Sequence, residues 1–145
     1  MKKVYRLLFI LHLFVGIGAL FGGAAAILNP NSPMGIPTDT LKNSPFDNFL
    51  IPGVLLFSVI GIGNIISAIT LKLKFKFQGY ISGVFSAALV FWIIIQCIML
   101  NDIVALHIIY LVIGLFEGVL SLFICFDQRL FPTNIMLNIF NNKVK

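Results

Sequence analysis

Apolar residues along the 145-residue chain fall into four long runs separated by polar segments. The runs cover residues 4–28, 49–71, 79–100 and 103–126. A helix that crosses a bilayer needs about 20 mostly apolar residues, and each run reaches that length. Because only helices and closed barrels satisfy their backbone groups in lipid, such runs indicate helices. The pattern predicts an all-α membrane protein, a bundle of four transmembrane helices.

The composition supports a membrane location. Hydrophobic residues make up 59% of the chain and charged residues 10%, whereas soluble domains are about 45–50% apolar and about 25% charged. A water-soluble fold of this size could not cover so much apolar surface, but lipid is itself an apolar solvent. The length accommodates one domain, for which we predict residues 1–128, followed by a tail over residues 129–145.

Basic residues are distributed unevenly among the connections between the runs. Nine of the ten lie at the N-terminus, in the second connection and in the tail: Lys2, Lys3, Arg6, Lys72, Lys74, Lys76, Arg129, Lys143 and Lys145. The opposite side holds only Lys42, beside Asp39, Asp47 and Asp102. Positive residues resist translocation and mark the cytoplasmic face. We therefore predict that both termini are cytoplasmic, and we interpret the net charge of +5 as a topology signal, with no nucleic acid as partner.

The first outer connection and the tail have their own patterns. Residues 29–48 contain four prolines, which forbid a continuous helix. This segment is either a stiff cap over the outer end of the bundle or a lid or docking surface. In the tail, Ile135, Met136, Ile139 and Phe140 share one side of a helix whose other side carries asparagines. That period predicts an interfacial amphipathic helix on the inner leaflet, or one that docks on a partner helix.

Each run contains small residues at helical spacing. The first has Gly18 and Gly22 in a GxxxG pattern, and the fourth has Gly114 and Gly118 in another. In membranes, small residues let helices approach closely. The pattern is typical of a tightly packed bundle, and it suits formation of a homo-oligomer equally well.

One polar residue from each run lies at a similar depth, about 10–14 Å from the cytoplasmic end at helical rise. These residues are His12, Asn64, Ser86 and Glu117. An ionised carboxylate in hydrocarbon costs at least about 2.5–3.5 kcal/mol, so we expect Glu117 to be protonated or paired, with His12 as partner. This intramembrane layer is either a clamp that fixes helix register or a site for a proton or ligand.

A second polar pair lies near the outer end, where Gln96 and His107 share a depth on adjacent helices. Trp92 and Tyr110 follow one turn deeper. Such a group is either a second site or part of the aromatic belt usual at membrane interfaces.

A resemblance to known proteins involves residues 45–53 (Pro-Phe-Asp-Asn-Phe-Leu-Ile-Pro-Gly), the glycine-rich first run, and Trp92 with Gln96. Together these resemble small four-span bacterial integral membrane proteins of unassigned function. The resemblance implies a multi-pass protein of the bacterial cytoplasmic membrane, and it brings no functional residues.

The sequence contains no recognisable catalytic, nucleotide-binding or metal-binding motif, and we predict neither a cofactor nor a metal. It favours a non-enzymatic accessory subunit or a bundle that binds a lipid or small ligand, with the bilayer and a membrane-protein partner or second copy as partners. One alternative is a small proton-coupled transporter using Glu117. The four spans and the single carboxylate within them resemble small multidrug-resistance transporters, although these carry their glutamate in the first span and not the fourth. Another is an intramembrane enzyme acting on a lipid, with His12 and Glu117 as acid and base.

Overall fold

A computed structural model of the protein describes residues 1–131 and 133–143. The described chain contains five helices and no strand. The helices are α1 (Lys2–Leu28), α2 (Leu50–Lys72), α3 (Gln78–Leu100), α4 (Ala105–Asp127) and α5 (Thr133–Lys143). The first four are each long and apolar enough to cross a membrane. The chain is therefore a multi-pass, all-α membrane protein with a four-helix bundle, as the apolar runs predict.

The predicted helix boundaries differ from the observed ones by at most two residues, and the start of α4 is an informative case. The fourth run was expected to begin at residue 103. Instead, Asn101 adopts a left-handed conformation with φ of 47°, and Val104 is extended. These two residues reverse the chain within residues 101–104, so the helix begins at Ala105.

Helix α2 contains a π-helical segment, Leu56–Ile62, that the sequence pattern does not reveal. Short π-helical segments within α-helices are frequently found at functional sites. This one continues into regular helix at Gly63, immediately before Asn64. It therefore sets the rotation at which Asn64 faces the bundle.

The helices run alternately up and down, and α1 also contacts α4, which closes the bundle. Two ends result. The loop end holds residues 29–49 and 101–104. The basic end holds the N-terminus, residues 73–77 and α5.

Glycines allow the close packing between neighbouring helices. A methyl group added at Gly23 would lie 2.6 Å from the backbone nitrogen of Phe57 in α2. One added at Gly114 would lie 2.9 Å from Val90 in α3. Gly118 differs, because a methyl group there would have no neighbour within 4 Å among the described residues. Only the first glycine of the α4 GxxxG pattern thus serves packing in this bundle.

The outward surface of the bundle is apolar. On α1 the exposed residues recur every three or four positions, at Leu7, Ile10, Phe14, Ile17 and Phe21. The opposite side of the same helix is buried. A helix with an apolar outer face and a small or polar inner face suits lipid, where packing and hydrogen bonds hold helices together.

The connection over residues 29–48 folds across the loop end. It contains two short 3₁₀ turns, Pro33–Gly35 and Thr38–Leu41. Leu41 and Phe49 are buried in a cluster with residues from the ends of α1 and α3. Its position is that of a cap.

Helix α5 occupies most of the predicted tail, with Ile135, Met136, Ile139 and Phe140 exposed. The domain boundary drawn at residue 128 falls one residue beyond α4. Attachment of α5 to the inner leaflet stays a prediction, and Lys145 lies outside the described residues.

Candidate functional site

A cavity of about 580 Å³ occupies the loop-end half of the bundle. All four spanning helices and the capping connection contribute to its walls. The apolar part of the wall includes Val15, Ala19, Leu56, Ile60, Leu89 and Ile93. Sites for small ligands are concave, mostly apolar and about 300–1,000 Å³ in volume, and this cavity falls within that range.

The outer polar pair predicted from the sequence lies on this wall. Gln96 and His107 both line the cavity, and so do Trp92 and Tyr110. The sequence placed these four residues near one another by depth alone. The cavity between them could not be predicted, because it depends on how far α1 and α4 separate.

Two of these side chains carry a ring N–H group that can donate a hydrogen bond. Trp92 is 8% exposed, and its Nε1–H has no hydrogen-bond partner among the described residues. His107 Nδ1 accepts a bond of 3.4 Å from the backbone N–H of Val104 at the start of α4. An accepting Nδ1 carries no proton, so the proton of this ring is on Nε2. The polar part of the wall therefore includes two ring N–H groups, of which that of Trp92 is itself buried.

Charge is sparse around the cavity. Asp102, at its mouth, is the one charged side chain among the described lining residues, and no lysine or arginine is among them. Thr40, from the cap, also lines the mouth, and its hydroxyl donates to the Pro37 carbonyl oxygen at 2.8 Å. The site is thus nearly neutral and lacks a cation to bind an anionic group.

The deeper polar layer predicted from the sequence lies below the cavity, toward the basic end. Its members His12, Asn64, Ser86 and Glu117 are each 0% exposed. The Asn64 amide nitrogen donates to the Ile60 carbonyl oxygen at 2.8 Å, which leaves Asn64 Oδ1 as an acceptor. His12 Nδ1 lies 2.6 Å from that oxygen and donates to it. Helices α1 and α2 are thereby joined by a fully buried hydrogen bond.

Glu117 lies beside this bond without joining it. Its Oε1 is 3.3 Å from His12 Nδ1, yet neither carboxyl oxygen has a hydrogen-bond partner among the described residues. The reason is that the Nδ1 hydrogen points to Asn64. His12 is therefore the near neighbour that the sequence predicted, but the two groups are not hydrogen-bonded.

Ser86 does not share a hydrogen-bonded network with the other members of the layer. Its hydroxyl donates to the Ser82 carbonyl oxygen, one turn earlier in α3, at 2.7 Å. Serines in membrane helices commonly satisfy their hydroxyls in this way. Ser86 shares the depth of the layer, but its hydrogen bond stays within its own helix.

Sequence reasoning left three buried serines out of the layer. They are Ser67, Ser82 and Ser121. Ser67 and Ser121 donate to carbonyl oxygens one turn earlier in their own helices, at 3.1 and 2.7 Å. Two of the three lie four residues from a predicted member, Ser82 from Ser86 and Ser121 from Glu117. Same-face spacing was the signal that could have found them.

The cavity and the polar layer are adjacent but separate. The floor of the cavity includes Val15, Ile60 and Leu89. Each is buried and lies three or four residues from a member of the polar layer on its own helix. One turn of apolar side chains therefore separates the two regions. Within the described chain, no group of three or more His, Cys, Asp or Glu residues could hold a metal ion.

Comparison of the chain with known protein families, with curated proteins and with solved structures finds no match.

Proposed function

We propose that this multi-pass protein binds a small apolar or lipidic molecule in the loop-end cavity. The observation that carries the proposal is the cavity itself, about 580 Å³ between four spanning helices, with apolar walls and a few polar groups. This combination of volume and lining is typical of ligand sites. If the helices only packed against one another, the side chains around such an empty space would lose dispersion energy.

Binding is favoured over catalysis by the position of the reactive groups. An enzyme that used His12 and Glu117 as acid and base would bring its substrate within hydrogen-bond distance of both. The floor residues Val15, Ile60 and Leu89 separate the cavity from that pair. A ligand in the cavity would contact the floor and would not reach the pair. We therefore infer a non-enzymatic role as a ligand-binding or accessory subunit.

The proposed setting is a bacterial cytoplasmic membrane with both termini inside. The support is the charge asymmetry, since nine of the ten basic residues are in segments at the basic end. In that orientation the cavity lies in the outer half of the membrane. A cysteine introduced at Lys74 should react with a membrane-permeant maleimide only, whereas one at Asn31 should also react with an impermeant reagent. Labelling of the Lys74 cysteine from outside would reverse the orientation.

A second candidate function is proton-coupled transport, which one observation favours. Glu117 is fully buried, and its carboxyl oxygens have no hydrogen-bond partner among the described residues. Ionisable groups buried inside a membrane protein commonly mark proton pathways. Glu117→Gln keeps the shape and removes the ionisation. It should preserve binding in the cavity and abolish proton-driven movement of the ligand in vesicles; retained movement would exclude this candidate.

The lone tryptophan provides the test of ligand binding. Trp92 lines the cavity and is the only tryptophan in the chain, so fluorescence of the intact protein reports on that wall alone. A lipid with a brominated chain quenches tryptophan on contact. In vesicles of ordinary phospholipid, we expect quenching that saturates at a low mole fraction of the brominated lipid.

A matched pair of variants separates the cavity from the outer surface. Ala19→Phe adds a ring inside the cavity, and Ala87→Phe adds the same ring on the exposed side of α3. The first should abolish saturable quenching, and the second should preserve it. Quenching that rises in proportion to brominated lipid in all three proteins would indicate contact with surrounding lipid only and would refute the proposed function.

A further inference from the structure

The exposure of the lining residues is uneven around the cavity. On the α2 and α3 sides, Ile60, Leu89 and Trp92 are buried. On the α1 and α4 sides, Phe21 is 74% exposed and Leu106 is 62% exposed, although both line the cavity. The cavity therefore opens sideways between α1 and α4, just beneath the cap.

The lower limit of this opening is set by Tyr110. Its ring stacks on Phe14, with centroids 6.1 Å apart, and its hydroxyl lies against Gly18. Here α1 and α4 are in contact. One turn nearer the loop end, Gly22 lines the cavity and has no side chain to fill the space. The two helices thus close at Tyr110 and are open above it.

The rim of the opening is mostly apolar. Besides Phe21 and Leu106, it includes Met34 and Ile36 from the cap and Val104 from the start of α4, all of them exposed. Asp102 and Thr40 are the polar residues at the mouth, and a water-soluble ligand would otherwise meet apolar side chains there. A molecule already dissolved in the bilayer would cross it without leaving an apolar environment. The rim therefore favours entry from the membrane.

The polar groups inside define the other part of the ligand. The Nε1–H of Trp92 is buried without an acceptor among the described residues, and His107 on the same wall carries its ring proton on Nε2. A phosphate headgroup is disfavoured, because Asp102 is the one charged side chain among the described lining residues. An uncharged carbonyl oxygen, as in an ester, an amide or a quinone, satisfies N–H donors and carries no charge to repel Asp102.

We propose that the cavity takes up a neutral, carbonyl-bearing lipid directly from the bilayer, through the opening between α1 and α4. This inference rests on the proposed function and specifies both the ligand class and its route. The chain of the lipid lies among the apolar wall residues. Its carbonyl group lies at the level of Trp92 and His107.

Three probes with the same brominated chain test the ligand class through Trp92 quenching. They are a monoacylglycerol, an anionic lysophosphatidylglycerol and a bromoalkane without a carbonyl group. We expect the monoacylglycerol to reach half-maximal quenching at a mole fraction about tenfold lower than the other two, the factor expected for one good hydrogen bond. Equal or stronger quenching by the anionic probe would overturn the ligand class. Failure of every probe to exceed the Ala19→Phe variant would instead refute the proposed function.

The route is tested by the rate of quenching after rapid mixing with probe-loaded vesicles. Phe21→Ala widens the opening, and Gly22→Leu narrows it; a methyl group at Gly22 meets only the flexible end of Leu56, at 3.3 Å. Phe91→Ala is the control, since Phe91 is exposed on α3 and does not line the cavity. We expect faster uptake in the first variant, slower uptake in the second and no change in the control. Saturable binding with the wild-type rate of uptake in all three variants would refute entry between α1 and α4.

Discussion

The two halves of the bundle use the same kinds of residue to different effect. In the basic-end half, the helices close around a buried layer in which His12 and Asn64 are hydrogen-bonded to each other. In the loop-end half, Trp92 and His107 line a cavity that the protein leaves unfilled. Among the described residues, buried polar atoms without a hydrogen-bond partner occur in both halves, at His12, Ser82 and Glu117 in one and at Trp92 in the other, so the cavity itself is what distinguishes the two halves. The contrast therefore separates a structural region from a binding region.

Glycine shows the same contrast within one helix. Gly16 and Gly23 face α2, where an added methyl group would lie 2.7 Å from Ile65 and 2.6 Å from Phe57. Gly22 lies on another side of α1 and lines the cavity. A glycine stripe thus closes one interface and leaves another open. The number of small residues in a helix does not distinguish these roles, because each role depends on which residues of the neighbouring helix lie opposite the glycine.

The largest effect on stability is expected from a substitution at a glycine that packs against the backbone of a neighbouring helix. Gly23→Ala places its methyl group 2.6 Å from the Phe57 nitrogen, which cannot move without shifting α2. We expect a loss of about 1–3 kcal/mol in the free energy of unfolding, measured by denaturation in mild detergent. Gly118→Ala is the control, since its methyl group has no neighbour within 4 Å, and it should change stability by less than about 0.5 kcal/mol. Equal losses would show that Gly118 also packs, as at a dimer interface.

An effect of similar or smaller size on stability is expected from substitutions in the polar layer, and it differs between two of its members. Asn64→Leu leaves the His12 Nδ1–H buried without its acceptor, and should cost about 1–3 kcal/mol. Glu117→Leu removes a carboxyl group that has no hydrogen-bond partner among the described residues. The stability of the Glu117→Leu variant should therefore equal or exceed that of the wild-type protein. Thermal denaturation in detergent compares the two, and a large loss for Glu117→Leu would show that the carboxyl group takes part in a structural clamp.

The smallest effect is expected at Ser86. Its hydroxyl donates to a carbonyl oxygen of its own helix, at Ser82. That oxygen keeps its backbone hydrogen bond when the hydroxyl is removed, so Ser86→Ala should change stability by less than about 0.5 kcal/mol. A loss comparable to that of Asn64→Leu would place Ser86 in a hydrogen-bonded network with other helices.

Most of the fold could be predicted from the sequence, because length and hydrophobicity determine a spanning helix almost alone. Depth counting along those helices also brought His12, Asn64 and Glu117 to the same level, since helical rise is nearly constant. Rotation of each helix about its axis could not be obtained in this way. The π-helical segment Leu56–Ile62 changes the rotation of α2, and no residue type within it indicates that change.

The cavity could not be predicted for a related reason. Trp92 and Gln96 are identified as neighbours of His107 by depth, but depth does not tell whether the space between them is filled. That space depends on the divergence of α1 and α4 above Tyr110, and on a cap whose prolines indicate only that it is not helical. Volume enclosed between elements arises from packing across the whole bundle, which a pattern along one chain does not encode.

The central claim, a lipid-binding cavity in the loop-end half, is tested most directly by native mass spectrometry of the protein released from membranes. We expect one lipid-sized adduct per protein that persists at collision energies that remove surface lipid. The adduct should be present in the wild-type protein and in Ala87→Phe, and absent from Ala19→Phe, whose added ring occupies the cavity. An identical, graded series of adducts in all three proteins would mean that lipid binds only to the outside of the bundle and would contradict the claim.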